Sequence, residues 1–238
     1  CLLCISDIPI FYASMSTNRF SIPAAIVVLL VVAVSVVASK RDSHPIYKFS
    51  TDQGLSSSVT YSILQDKKGF IWIGTEEGLN KFDGYHFTHF NADKGRHSLT
   101  HNRTQTLYNA PDGSIWIGTS NGLNVYDYKA DSIIQVRTTT SPMKLLYNDI
   151  TVLSGSNTAT TWVGTYGNGV HYYDWKKKKF ERLALEKAGD VSPLFVMSLF
   201  EDDNNRLWIG TRHDGLFCYD LTSRKLSYME LPENSMFI

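Results

Sequence analysis

Residues 54–90 read GLSSSVTYSILQDKKGFIWIGTEEGLNKFDGYHFTHF, and this stretch decides the fold. Apolar and polar residues alternate over 59–64, 70–74, 79–82 and 86–90, the period of strands that bury one face. Turn signals stand between them: Asp66-Lys67-Lys68-Gly69, Glu76-Glu77-Gly78 and Asp83-Gly84. Asp-Gly between alternating runs is a strong hairpin cue, because glycine takes positive φ without a Cβ clash. The stretch is read as four short antiparallel strands joined by tight turns.

The unit repeats. Trp-[Ile/Val]-Gly-Thr starts at Trp72, Trp116, Trp162 and Trp208, at intervals of 44, 46 and 46 residues. Each copy continues to Gly-Leu or Gly-Val (Gly78, Gly122, Gly169, Gly215) and then to an aromatic-Asp pair ending at Asp83, Asp127, Asp174 or Asp220. A period of roughly 45 residues with four strands and no helical pattern is that of propeller blades. The fold class is all-β, a β-propeller, with blades over 46–91, 92–137, 138–184 and 185–231. Trp72, Trp116, Trp162 and Trp208 are expected in the core between sheets. Gly74, Gly118, Gly164 and Gly210 are expected where a neighbouring blade comes close. The recurring aspartates are read as turn stabilisers. In the third copy Ser154-Gly155-Ser156-Asn157-Thr158-Ala159 replaces the Asp/Gly turn, so a differently shaped first hairpin is expected there.

Residues 54–90, and further copies such as APDGSIWIGTSNGLNVYDY over 110–128, resemble the two-component regulator propeller repeat family. The resemblance covers roughly 46–231. It implies a seven-bladed ring in the periplasmic sensor region of a hybrid two-component system histidine kinase. It also implies an oligosaccharide ligand, control of transcription, and further blades and receptor domains as partners. Four copies fill only part of such a ring, so the chain is expected to be a fragment or truncated product, with 232–238 opening a continuation. No kinase segment lies in these residues, and no enzymatic activity is expected of them.

The ends and the composition add limits. Residues 22–38 are almost wholly apolar, Arg19 precedes them, and small residues follow at 36–39. This is a signal peptide or signal anchor over 15–41, behind a non-native or upstream segment at 1–14. The expected location is the periplasm, with anchoring in the inner membrane as the alternative, since Lys40 and Arg41 follow the apolar run. With 23 basic and 23 acidic residues the formal charge is zero, and no basic patch marks a nucleic-acid partner. Cys218 is the one cysteine in the blades, so no disulfide is available there, and no cofactor or metal site is expected. Asp202-Asp203-Asn204-Asn205 lacks the distal glutamate of a calcium loop and is read as a turn.

Ligand chemistry is sought on the face that carries the turn between the second and third strands together with the blade-linking segments. Tyr166, Asn168, Arg212 and His213 lie in the two such turns that have an extra residue. Polar groups for hydroxyls and an aromatic ring for an apolar sugar face are what carbohydrate binding needs. Their other reading is as ordinary polar turns. Two alternatives to a sensor stay open: a propeller interaction or dimerisation scaffold, and a propeller glycoside hydrolase or lyase.

Overall fold

Sixteen strands fall into four antiparallel sheets among the described residues, four strands to each and in simple chain order. The computed structural model describes residues 47–93, 95, 97–136, 149–155, 159–185 and 194–229. The expected signal segment, the residues before it, the tip of the third blade's first hairpin at 156–158, the linkers 137–148 and 186–193, and residues 230–238 lie outside that set. Among the described residues no helix is long and apolar enough to cross a membrane.

The first blade comprises β1 (Thr60–Gln65), β2 (Ile71–Thr75), β3 (Gly78–Phe82) and β4 (Phe87–Phe90). The second comprises β5 (Thr104–Asn109), β6 (Ile115–Thr119), β7 (Gly122–Asp127) and β8 (Ser132–Gln135). The third has β9 (Ile150–Ser154), β10 (Thr160–Thr165), β11 (Val170–Asp174) and β12 (Lys179–Arg182). The fourth has β13 (Val196–Glu201), β14 (Arg206–Thr211), β15 (Leu216–Asp220) and β16 (Lys225–Met229). All lie in the compact unit from Lys48 to Ile238.

The repeated motif explains itself residue by residue. In every blade the threonine of Trp-x-Gly-Thr closes the turn after the second strand. Thr75, Thr119, Thr165 and Thr211 donate through Oγ1 to the carbonyls of Gly78, Gly122, Gly169 and Gly215 at 2.8–2.9 Å. The aspartate after the third strand accepts two backbone N–H bonds in the next turn: Asp83 from Tyr85 and His86, Asp127 from Lys129 and Ala130, Asp174 from Lys176 and Lys177, and Asp220 from Thr222 and Ser223. These side chains replace backbone partners that a tight turn cannot supply.

Successive sheets pack face to face, and the core is the set of seams between them. Trp72 lies with Leu107, Ile115, Ile117, Tyr126 and Ile133 of the second blade. Trp116 lies with Ile150, Leu153 and Val163 of the third, and Trp162 with Val196, Leu199, Leu207 and Phe217 of the fourth. These three indoles are 0%, 4% and 4% exposed. Trp208, whose outer side meets no further described blade, is only half-buried. The glycine two residues after each of these three tryptophans makes room for the next sheet, whereas Gly210, also expected beside a neighbouring blade, faces only Ser198 of its own. A Cβ on Gly74 would sit 2.7 Å from the Thr104 carbonyl, one on Gly118 2.7 Å from Ile150 Cγ2, and one on Gly164 2.7 Å from Val196 Cγ1.

Candidate functional site

The first strand of each blade carries a register shift near its start, at Thr60/Ser62, Thr104/Thr106, opposite Gly164/Thr165, and at Val196/Ser198. Such a bulge leaves one residue out of the ladder and re-aims its side chain. The residues left out are Tyr61, Gln105, Thr151 and Met197. On the same edge, the first residue of each second turn donates its N–H to the residue just ahead of the first strand. The pairs are Glu76 to Val59, Ser120 to Arg103, Tyr166 to Asp149 and Arg212 to Phe195, at 2.9–3.1 Å. The turns expected to carry ligand chemistry are thus held against the strand entries on one rim.

Where the third and fourth blades meet, this rim gathers an aromatic and cationic cluster. Arg212 Nη1 donates to the Tyr166 hydroxyl at 2.7 Å, and its guanidinium lies 5.5 Å from that ring's centre. Phe195 sits between the two turns, 4.5 Å from Tyr166 and 5.9 Å from His213 between ring centres. Tyr166 and Phe195 also form an isolated antiparallel bridge, and the Leu194 carbonyl accepts from Gly167 N and Gly169 N, both at 3.3 Å. Gly167 has φ +98°, and a Cβ there would lie 3.4 Å from the Phe195 ring, so glycine both makes the turn and admits the phenyl. Tyr166 is 36% exposed, and Arg212 and His213 are exposed.

Three of the four residues singled out from sequence therefore come together. Asn168 does not join them. Its backbone N–H donates to Thr165 Oγ1 at 3.2 Å, which makes it part of the turn, and its side chain bonds none of the other three. Phe195, which organises the cluster, was not anticipated, because it lies in the segment ahead of a blade and outside the recurring motif.

A second rim cluster joins the first two blades. Arg103 Nε lies 3.3 Å from a Glu76 carboxylate oxygen, the guanidinium is 5.0 Å from the Tyr61 ring centre, and the Tyr61 hydroxyl donates to Glu76. That bond raises the tyrosine's pKa, with partial desolvation adding to it. Glu76 is thus tied to its neighbours rather than held free opposite a second carboxylate, the arrangement glycoside hydrolysis needs. Among the described residues no group of three or more His, Cys, Asp or Glu is placed to hold a metal ion.

Comparison with known proteins bears on the blades. The two component regulator propeller family matches residues 54–77, 98–121 and 190–213. The third blade's first hairpin, where the turn sequence departs, falls between the matched spans. Over 61 residues, 25% of this chain, the sequence is 41% identical to histidine kinase P4 of Formosa agariphila, and the match covers 4% of that protein. The crystal structure of the extracellular domain assigned to the hybrid two component system BT3049 of B. thetaiotaomicron superposes with a TM-score of 0.69 at 32% identity. The match covers 79% of this chain and 27% of that one, so the chain spans well under half the length of either relative.

Proposed function

From the premise that its blades are two-component regulator propeller repeats, we propose that the chain is the ligand-sensing part of an extracytoplasmic receptor that recognises an oligosaccharide. The observation that carries this reading is the Tyr166–Phe195–Arg212–His213 cluster. It offers ring faces, hydroxyl, guanidinium and imidazole groups on a rim pinned by backbone hydrogen bonds. Because the cluster straddles a seam, a ligand there touches two blades at once and alters how firmly they pack. A kinase elsewhere in the receptor would read that change and regulate transcription, with further blades and receptor domains as partners in the same protein and export directed by the segment at 15–41.

Titration with a panel of oligosaccharides, comparing the native chain with Tyr166→Ala and Arg212→Ala, tests the site. Each substitution is expected to weaken binding by about tenfold or more, since it removes a stacking face or a charge-assisted donor. Unchanged affinity in both variants would place the site elsewhere.

A second reading, a docking scaffold or homodimer, is favoured by the outer faces of the end blades. Ile63 is 74% exposed, whereas Leu107, Leu153 and Leu199, its counterparts in the register, are 7–9% exposed. Met197 and Phe200 are exposed on the fourth blade beside the half-buried Trp208. Apolar surface of this kind fits another blade.

A further inference from the structure

We infer that the seam between the third and fourth blades selects saccharides bearing a carboxylate or sulfate group, with Arg212 as the anion-binding residue. This rests on the saccharide reading above and narrows it.

Among the described residues three arginines lie over aromatic rings, and their partners differ. Arg103, over Tyr61, is paired with Glu76 at 3.3 Å. Arg206, over Trp208 at 5.3 Å, is paired with Asp202 at 2.8 Å. Both are neutralised within the fold. Arg212 lies over Tyr166 but forms no ion pair among the described residues, and the partner recorded for its guanidinium is the Tyr166 hydroxyl. A guanidinium has five N–H donors in a planar fork that matches two oxygens of an oxyanion. One donor is committed here, and the rest are exposed with the side chain.

The neighbours sharpen the preference. The Tyr166 oxygen accepts from Arg212, so its own proton is left to donate outward. His213 adds a ring N–H. The Phe195 carbonyl is occupied by Arg212 N at 2.9 Å, and the Leu194 carbonyl by two glycine N–H groups. Both carbonyls thus already accept within the fold, while side-chain donors converge. Asp214, the next carboxylate along the turn, has its backbone N–H held by Thr211 Oγ1 at 3.0 Å and makes no ion pair with Arg212. The guanidinium, the Tyr166 hydroxyl and the imidazole together favour an acceptor-rich ligand. Charge-assisted bonds to a carboxylate or sulfate are roughly twice as strong as neutral ones. The Tyr166 and Phe195 rings supply the wall for the pyranose.

The test uses pairs matched in their sugar backbone and differing in charge: trigalacturonate against its methyl ester, and a chondroitin sulfate hexasaccharide against its desulfated, carboxyl-esterified form. Calorimetry on the full chain at neutral pH is expected to show at least one acidic member binding about tenfold or more tighter than its uncharged counterpart, with the gap narrowing at high salt. In Arg212→Gln the gap closes, because affinity for the acidic member falls further than affinity for the uncharged one. In Arg212→Lys, which keeps the charge and loses the fork, the gap is intermediate. Equal affinity for the charged and uncharged members of every pair overturns acid selection and leaves saccharide sensing intact. Absence of binding by all members, together with a wider neutral panel, overturns both. The far-ultraviolet circular dichroism of the variants is expected to match wild type, because Arg212 is exposed.

Discussion

Asp66 shows how much one side chain can organise in a blade. Its Oδ1 accepts from the backbone N–H groups of Lys68 and Phe70 at 2.8 and 3.0 Å, and its Oδ2 accepts from Trp72 Nε1 at 2.7 Å and from the Tyr128 hydroxyl of the next blade. Burial pushes this carboxyl up, and the four hydrogen bonds outweigh it, so the group sits below its ordinary value. Asp202 repeats the device in the fourth blade, where the Trp208 indole, aided by Arg206, holds its pKa down at about 2 against partial desolvation. His171 is the opposite case. It stands in register where the first two blades carry Asn80 and Asn124, which lock onto Ser56 and Thr100. The imidazole is 1% exposed, and neither ring nitrogen makes a hydrogen bond of ordinary geometry. Burial, then the charge of Arg182, lowers its pKa from 6.5 to about 4, and the Asn168 backbone offsets only part of this. The folded state thus keeps His171 neutral while the unfolded chain takes up a proton, so stability is lost as pH falls from about 6.5 towards 4. We expect urea unfolding to lose on the order of 2–3 kcal/mol across that window from this residue. His171→Asn should flatten that part of the profile; a profile parallel to wild type would refute the assignment.

At the scale of the element, the second strand is where blades are fitted to one another, and its glycine sets the spacing. Gly118→Ala would drive a Cβ to 2.5 Å from Thr106 Cγ2 and 2.7 Å from Ile150 Cγ2, so two packed sheets must part. Gly210→Ala meets Ser198 Oγ at 2.3 Å, a hydroxyl of its own blade that can rotate, and no atom of another blade. Overpacking a seam costs about 1–3 kcal/mol, and chemical denaturation should show that loss for Gly118→Ala and a clearly smaller one for Gly210→Ala. Equal losses would mean that crowding inside the blade matters more than the seam. These elements were legible in the sequence because their determinants are local: the turn glycines, the closing threonine and the capping aspartate all act within a few residues of themselves. The register of Trp72 between Leu64 and Lys81 follows from such turns alone. What stayed hidden depends on where side chains end in space. Phe195 stands at the position of Val59, Arg103 and Asp149, which share no residue type, yet it joins two turns. Glu201 reads as the end of a strand, yet it accepts the Trp162 indole at 2.6 Å from the adjacent blade. Asn168 has the right polarity for a ligand and the wrong place for the cluster, since polarity does not disclose direction.

For the whole molecule, the seams rather than the sheets supply the core, so position in the array should govern the cost of a substitution. Leu107 and Ile63 occupy the same place in their blades, one in a seam and the other on an outer face. Leu107→Ala is expected to cost about 2–5 kcal/mol and Ile63→Ala less than about 1 kcal/mol, read from urea midpoints. A large loss at Ile63 would show that its face is covered in solution, and its dependence on protein concentration would then tell a second copy from a covering segment of the same chain.

The three seams also differ in what they demand of a neighbour. The first is bridged by Asp66 between an indole and a tyrosine, and the third by Glu201 on an indole, so each requires a matched acid and donor on opposite blades. In the middle seam Ala110 replaces the acid, and Trp116 is met by the rings of Tyr173, Trp175 and Phe180. Its aromatic core asks for shape, and the polar demands across it are the Leu153 N–H on Thr106 Oγ1 at 3.2 Å and the Gln105 amide on Asp149. Recombination or grafting that swaps units there need conserve volume and those two polar contacts, with no acid to be matched to an indole.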